Sequence, residues 1–275
     1  MEVRRYSSAA EFLDATKDFR RLDPVRTGLI TSIATSVASG LRTYEDYFWW
    51  SVSKNNQIVG LAIRTVPYGY VFSPMGSNAI EALHSFICLE DSAALEFAGP
   101  KDVIDSLVQI SGKVVTESEG ELIYECRNLI PAHPIGEIRS ANENDFDLIF
   151  SWMKAFMATT GLRVYDLEGV VRTALGASRY YLLMFDGAPI SMGGHSDVQV
   201  FEDFSIGRVG PIYTPEEFRK KGYASALTSE ITKTLISRGA LPTLYTQAAN
   251  PTSNKIYQEI GYTLVDENCR VVLTL

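Results

Sequence analysis

The chain has 275 residues, of which 46% are hydrophobic and 21% charged, and its net charge is −8. This length suits one large or two ordinary domains, and the composition is that of a globular protein able to bury a core. The acidic balance argues against a nucleic-acid or membrane-surface role, because neutralising phosphates takes clustered Lys and Arg.

Cys88, Cys126 and Cys269 are widely spaced, odd in number and without a CxxC pair. They form neither a disulfide framework nor a zinc site, so the expectation is reduced thiols in a cytoplasmic protein with no metal. The N-terminal MEVRRYSSAAEF lacks the apolar stretch of a signal peptide. No apolar run approaches the ~18 residues of a membrane span.

In the N-terminal half, residues 2–6 read as a short strand, and Ser7 or Ser8 caps a helix carrying Phe12, Leu13 and Phe19. Asp23-Pro24 predicts a helix start, with Leu29, Ile30, Ile33 and Val37 at helical spacing and Gly40 as the stop. Strands 47–53 and 58–65 form a hairpin across Asn55-Asn56. There follow a strand at 68–72, a helix at 79–88, a strand at 94–98, a helix at 100–111 and a hairpin at 113–129. Strand alternation sends Phe48 and Trp50 into the core and Trp49 to the opposite face. The loop 73–78 holds a glycine but no Arg or Lys, so it is a poor anion site.

Ile130-Pro131-Ala132-His133-Pro134-Ile135 reads as a linker, since two prolines in quick succession break both periodicities. It divides the chain into domains 1–130 and 136–275, and the same order of elements then begins again. Glu137-Ile138-Arg139 echoes Glu2-Val3-Arg4. Asn142 or Asn144 caps a helix with Phe146, Ile149, Phe150, Met153 and Met157 on its apolar face, and Asp166 caps the next. Strand 180–185, the turn Asp186-Gly187 and strand 189–196 form a hairpin. Glu202-Asp203 lies in the next turn. The strand 205–213 contains Gly210-Pro211; proline cannot donate to a ladder, so this dipeptide marks a bulge or an edge.

The most informative stretch is IYTPEEFRKKGYASAL, residues 212–227. It joins a strand to a helix through a basic, Gly-containing loop. Helix N-termini present unpaired N–H groups and a positive dipole end, a natural seat for a diphosphate. Arg219, Lys220 and Lys221 add charge there, and Gly222 admits close backbone approach. The helix stops at Gly239 and is followed by a strand at 241–246, which must run parallel to the first. In NPTSNKIYQEIGY, Asn250 caps a helix with Pro251 at its first position. Asn250, Asn254 and Tyr257 share one polar stripe, and Ile256 and Ile260 face the core.

The spacing Arg219-x-x-Gly222-x-Ala224, followed by the Asn250–Tyr257 stripe, resembles the GNAT acetyltransferase superfamily, and in particular a bacterial subgroup of predicted acetyltransferases. The resemblance covers the second half, and the element order of the first half resembles a degenerate GNAT-like repeat, giving a tandem GNAT. It implies an α/β fold of two domains, each a twisted mixed sheet flanked by helices, with the central strands splayed in a V. It implies a cytoplasmic N-acetyltransferase using acetyl-CoA as co-substrate and no metal, one cofactor site per chain, and a small-molecule or peptide amine as acceptor. Backbone groups of Ile212, Tyr213 and Thr214 would bind the pantetheine arm. Arg219, Lys220, Lys221, Gly222, Tyr223 and Ala224 would hold the diphosphate. Asn250 and Asn254 would contact the cofactor, as would Tyr257, which would also protonate the departing thiolate. The alternative is a non-catalytic acyl-CoA-binding or sensing module on the same fold. For the base, His195, Glu202 and Asp203 are candidates without a fixed role, and the acceptor pocket is expected around Met153, Phe156, Met157 and Tyr165. Gln247 stands where the subgroup commonly has Asp.

Overall fold

The computed structural model describes residues 1–274. The first half holds β1 (Glu2–Arg5), α1 (Ala9–Ala15), α2 (Lys17–Leu22), α3 (Gly28–Ala38), β2 (Tyr47–Lys54), β3 (Gln57–Thr65), β4 (Tyr70–Phe72), α4 (Ser77–Glu90), β5 (Glu96–Pro100), α5 (Lys101–Ser111) and β6 (Val115–Glu125). The second holds β7 (Glu137–Ser140), α6 (Phe146–Thr160), α7 (Leu167–Gly176), β8 (Tyr180–Phe185), β9 (Ala188–His195), β10 (Gln199–Val200), β11 (Ser205–Tyr213), α8 (Tyr223–Ser237), β12 (Ala240–Gln247), α9 (Pro251–Glu259) and β13 (Thr263–Leu273). No helix of the described residues is long and apolar enough to cross a membrane.

The chain forms two compact units. One is Met1–Ile123 together with the segment from Val265 on; the other is Tyr124–Leu264. The units therefore divide within β6, ahead of the proline-rich stretch at 130–136, and the chain's last segment returns to the first unit. The reason is pairing: β13 runs antiparallel to β5, with Cys269 opposite Gly99 and Val271 opposite Phe97.

In the first unit the strand order is β1-β2-β3-β4-β5-β13-β6. The β2–β3 turn is closed by Asn55 and Asn56, both at positive φ (52° and 62°), the geometry a tight hairpin requires. The aromatic run splits as alternation demands. Phe48 and Trp50 join the core under α4 and α5, whereas Trp49 packs on the other face with Tyr6 and Phe12; all three are buried. Three expectations are corrected. The first helix is two, broken at Thr16, whose hydroxyl turns back to the Phe12 carbonyl and accepts from Arg20 Nε. Asp23 accepts the Arg26 N–H in a turn, and the helix begins only at Gly28. The hairpin expected at 113–129 is one strand, β6, whose Glu117 and Glu119 pair with Arg270.

In the second unit the strand order is β12-β11-β9-β8-β7, with β10 pairing β11. α6 and α7 cover one face over Ile149, Met153, Val171 and Leu182. α8 covers the other with Leu227, Ile231 and Leu235, none of which is exposed. The parallel pair β11–β12 is joined from Ser205↔Ala240 to Arg208↔Thr243 and no further. Beyond that point residues 209–213 and 244–247 run on without pairing to each other. On the opposite edge, β11 slips its register against β9 between Val209 and Ile212, where Gly210-Pro211 sits, so the expected bulge is present.

Candidate acyl-carrier site

The wedge between β11 and β12 opens toward the loop that leads into α8. Two features build it. The bulge turns β11 away from its parallel neighbour, and the ladder between the two strands ends at Arg208↔Thr243. Gly193 of β9 lies beneath the bulge: a Cβ there would come within 2.7 Å of Ile212 Cδ1 and 2.8 Å of Ile231 Cδ1. Ile212 therefore points its side chain to the α8 face. Tyr213 points to the other face, its ring 6.1 Å from Trp152 on α6.

The loop holds its shape through internal bonds. Ser191, fully buried, donates to the Tyr213 carbonyl at 3.0 Å and shares a 2.9 Å bond with Thr214 Oγ1. Arg219 Nε donates to the Thr214 carbonyl at 3.0 Å. Of the three residues expected to bind a ligand through backbone groups, two thus have their carbonyls already engaged, and Arg219 keeps only its terminal nitrogens for an anion. Lys220 sits at φ 63° and Gly222 at φ 83°. The left-handed step at Gly222 swings the chain into α8, and as N-cap it offers no side chain, so the first-turn N–H groups carry no side-chain cap. Arg219, Lys220, Lys221 and Gly222 are exposed at this helix end, and Ala224 is half-buried in the first turn. Tyr223 is buried, its ring 5.9 Å from Phe185, so it can offer only its backbone N–H.

On the β12 side, Asn250 accepts the Ser253 N–H and fixes the start of α9, with Pro251 at its first position. Its side-chain oxygen is a cap. Asn254 Nδ2 donates to the carbonyls of Gln247 and Ala248, both at 3.3 Å, while its Oδ1 is buried without a partner. An orphaned buried acceptor costs about 1–3 kcal/mol, so this atom is a strong candidate for a ligand N–H. Tyr257, half-buried, packs edge-on to Tyr262 with centroids 6.1 Å apart. Burial pushes its phenol up to about 12 against the opposing pull of the Ser253 hydroxyl. The group holds its proton at neutral pH and is suited to donate one.

The base candidates lie elsewhere. His195 pairs with Val209, at the closed end of the wedge and on the α8 face, since Gly193 two residues before it faces α8. There it meets the Ser196 carbonyl through Nδ1 at 2.7 Å and Arg238 and Tyr181 through Nε2 at 3.3 and 3.5 Å. Burial, opposed by the Ser196 carbonyl, lowers its pKa, so it is a satisfied neutral histidine. Glu202 and Asp203 are exposed in the turn before β11, at the far end of that strand from the loop. Of the expected acceptor-pocket residues, Met153 is core, Phe156 and Met157 are half-buried on α6, and Tyr165 is exposed in the loop after it. Sequence reasoning passed over Ser191, whose role needs the β9–β11 register to be known. It also passed over Arg208, the last residue of β11 paired with β12, whose Cζ lies 5.3 Å from the Tyr245 ring centroid.

The first unit repeats the β-loop-α-β arrangement as β4, α4 and β5, but its wedge is shut. A Cβ on Gly99 of β5 would lie 2.9 Å from the Phe72 carbonyl oxygen, so the two backbones stay together past Tyr70↔Phe97 and Val71↔Ala98. Met75, in the loop, packs against Gly60 instead of leaving a cradle.

Residues 199–271 match the family described as FR47-like protein. No curated protein matches the chain. Among solved structures it is similar to an acetyltransferase of the GNAT family from Colwellia psychrerythraea (12% identity, all of both chains covered, TM-score 0.65). It is similar also to a GCN5-related N-acetyltransferase from Sphaerobacter thermophilus (11% identity, 98% of this chain and 94% of that one, TM-score 0.64). A tandem GNAT protein from the clavulanic acid biosynthesis pathway aligns over 99% of this chain and 98% of its own at 10% identity, with a TM-score of 0.61. Residues 199–271 thus carry the FR47-like pattern on a chain that has the GNAT acetyltransferase fold from end to end.

Proposed function

We propose that the protein is an acyltransferase that moves an acetyl group from acetyl-CoA to a primary amine, with one carrier site per chain, in the second unit. The observation that carries this reading is the convergence at one wedge of an unpaired strand edge, an uncapped helix N-terminus ringed by three cations, and the orphaned Asn254 Oδ1. Acetyl-CoA supplies the thioester carbon that a neutral amine attacks, so that a C–N bond forms and the C–S bond breaks. The first-turn N–H groups of α8 and the side chains of Arg219, Lys220 and Lys221 hold the diphosphate. The free edge at 209–213 receives the amide-bearing arm, and Asn254 Oδ1 accepts one of its N–H groups. Backbone donors near Ile212 stabilise the carbonyl oxygen as it gains charge. Tyr257 gives its proton to the leaving sulfur, and the proton shed by the amine passes to water. The free thiols of Cys88, Cys126 and Cys269 suit the reducing cytoplasm.

Calorimetry with acetyl-CoA and CoA, followed by a thiol-release assay over an amine library, tests the reading. Uptake of one carrier per chain with amine-dependent thiol release is expected. No uptake would remove the site; uptake without thiol release for any amine would leave a binding module.

A further inference from the structure

Arg208 is a half-buried cation at the apex of the wedge. Gly207, its neighbour, faces α8, where a Cβ would meet Leu235 at 2.7 Å. Alternation therefore places Arg208 on the face covered by α6 and α7. Tyr245, beneath its guanidinium, is on the same face as Gln247, which reaches Thr160 of α6. Arg208 is thus on the floor of the cleft into which the parted strands open. Among the described residues no carboxylate pairs with it; its contacts are the Tyr245 ring and, through its backbone, Ser196. Asp197, next to the Ser196 that accepts the Arg208 N–H, is committed to Arg179. In a chain of net charge −8 an unpaired, partly desolvated cation facing a cleft stands out. Withdrawing a charge from water without a partner is costly, and a planar guanidinium fixed on an aromatic ring matches a carboxylate with two parallel bonds.

Resting on the acyl-transfer reading, we propose that the acceptor is an amine that also bears a carboxylate, and that Arg208 binds this carboxylate and so selects the acceptor. Its charge has a second consequence. A cation beside the acceptor disfavours an ammonium, so it raises the fraction of amine present in the neutral, attacking form.

The test compares amino acids with an α- or ω-carboxylate against their carboxamides and against phosphate-bearing amines, with acetyl-CoA as donor, for wild type and Arg208→Gln. Acids are expected to be acetylated with kcat/KM well above the matched amides. Arg208→Gln is expected to raise KM for the acids by roughly 10- to 100-fold, the range of a lost charge-assisted pair, while the amides and the KM for acetyl-CoA change less than about twofold. Acids and amides used equally, a preference that survives Arg208→Gln, or a preference for phosphate overturns the inference, as does CoA uptake with no acid acetylated. Absence of CoA uptake in calorimetry overturns the acyl-transfer reading itself and is seen without any acceptor.

Discussion

Gln247 donates its side-chain amide to the carbonyl of Thr160 at 2.8 Å, tying the free end of β12 to the C-terminal turn of α6. The bond supplies a partner to a helix-end carbonyl that has none within the helix. It also holds α6 over the cleft face on which Arg208 and Tyr245 lie. Gln247→Ala should cost about 1 kcal/mol of stability, the usual net value of one neutral hydrogen bond. Acceptor KM should rise severalfold, with the affinity for CoA unchanged. Urea melts and steady-state kinetics read both, and a shift in CoA affinity alone would show that this bond serves the carrier instead.

The anion loop makes a prediction in two parts. Gly222 has φ 83°, and a Cβ there would sit 3.1 Å from Ile135 Cδ1. Gly222→Val puts a β-branched residue in the left-handed region, at a cost of roughly 1–2 kcal/mol, and disturbs the entry to α8. Replacing Lys220 and Lys221 by Ala leaves the fold intact, since both are exposed, but removes charge from the diphosphate seat. CoA affinity should fall on the order of tenfold, and its salt dependence should flatten because less charge remains to be screened. Titrations at two ionic strengths check this. An unchanged salt slope would place the diphosphate away from the loop.

Much of this was legible from local chemistry. β8 and β11 have the bounds that their residues predict, the turn at Asn55-Asn56 has the expected positive φ values, and Asn250 caps α9. These features depend on neighbours a few residues apart. What was not legible depends on partners far along the chain. The stretch 113–129 looks like a hairpin until Arg270, some 150 positions on, gives the Glu117 and Glu119 carboxylates a cross-strand cation. The engagement of the Tyr213 carbonyl by Ser191 likewise needs the register of β9. In the candidate site the loop and the polar stripe could be read in advance. That Arg219 is folded onto the Thr214 carbonyl could not, because it depends on where a backbone group points.

The ring nitrogens of His195 are engaged by the Ser196 carbonyl, Arg238 and Tyr181, the setting of a histidine that supports the fold, and experiment separates that role from a base's. Its folded pKa lies below the ordinary 6.5, first because of burial. As pH falls below that ordinary value the unfolded chain takes up the proton first, so the contribution of His195 to stability is complete above about 6.5 and is lost as pH drops through the folded value. His195→Gln should flatten the acid side of the Tm–pH curve and leave kcat within about twofold, as expected for a group remote from the reacting atoms. A kcat that collapses in the variant while the fold stays intact would return His195 to the mechanism.

Tyr257 ties the proposed chemistry to alkaline behaviour. Burial raises its phenol from 10.0 to about 12. A general acid must carry its proton, so Tyr257 stays competent across the neutral and mildly alkaline range, and its ionisation should place no falling limb on kcat below about pH 11, roughly one unit under the folded value. Stability follows the opposite order of deprotonation. Between pH 10 and 12 the unfolded chain loses this proton before the folded one does, so the contribution is full below 10 and declines as pH rises toward 12. Tyr262, held at 2.7 Å by Thr232 and also raised by burial, acts in the same direction. Tyr257→Phe removes the donor and keeps the ring against Tyr262. Its kcat should fall about 100-fold, the lower range for a positioned general acid, with CoA affinity nearly unchanged and a shallower loss of stability above pH 10. A variant that keeps its kcat but shows the shallower alkaline melt would mean that the ring is packing and that water protonates the leaving sulfur.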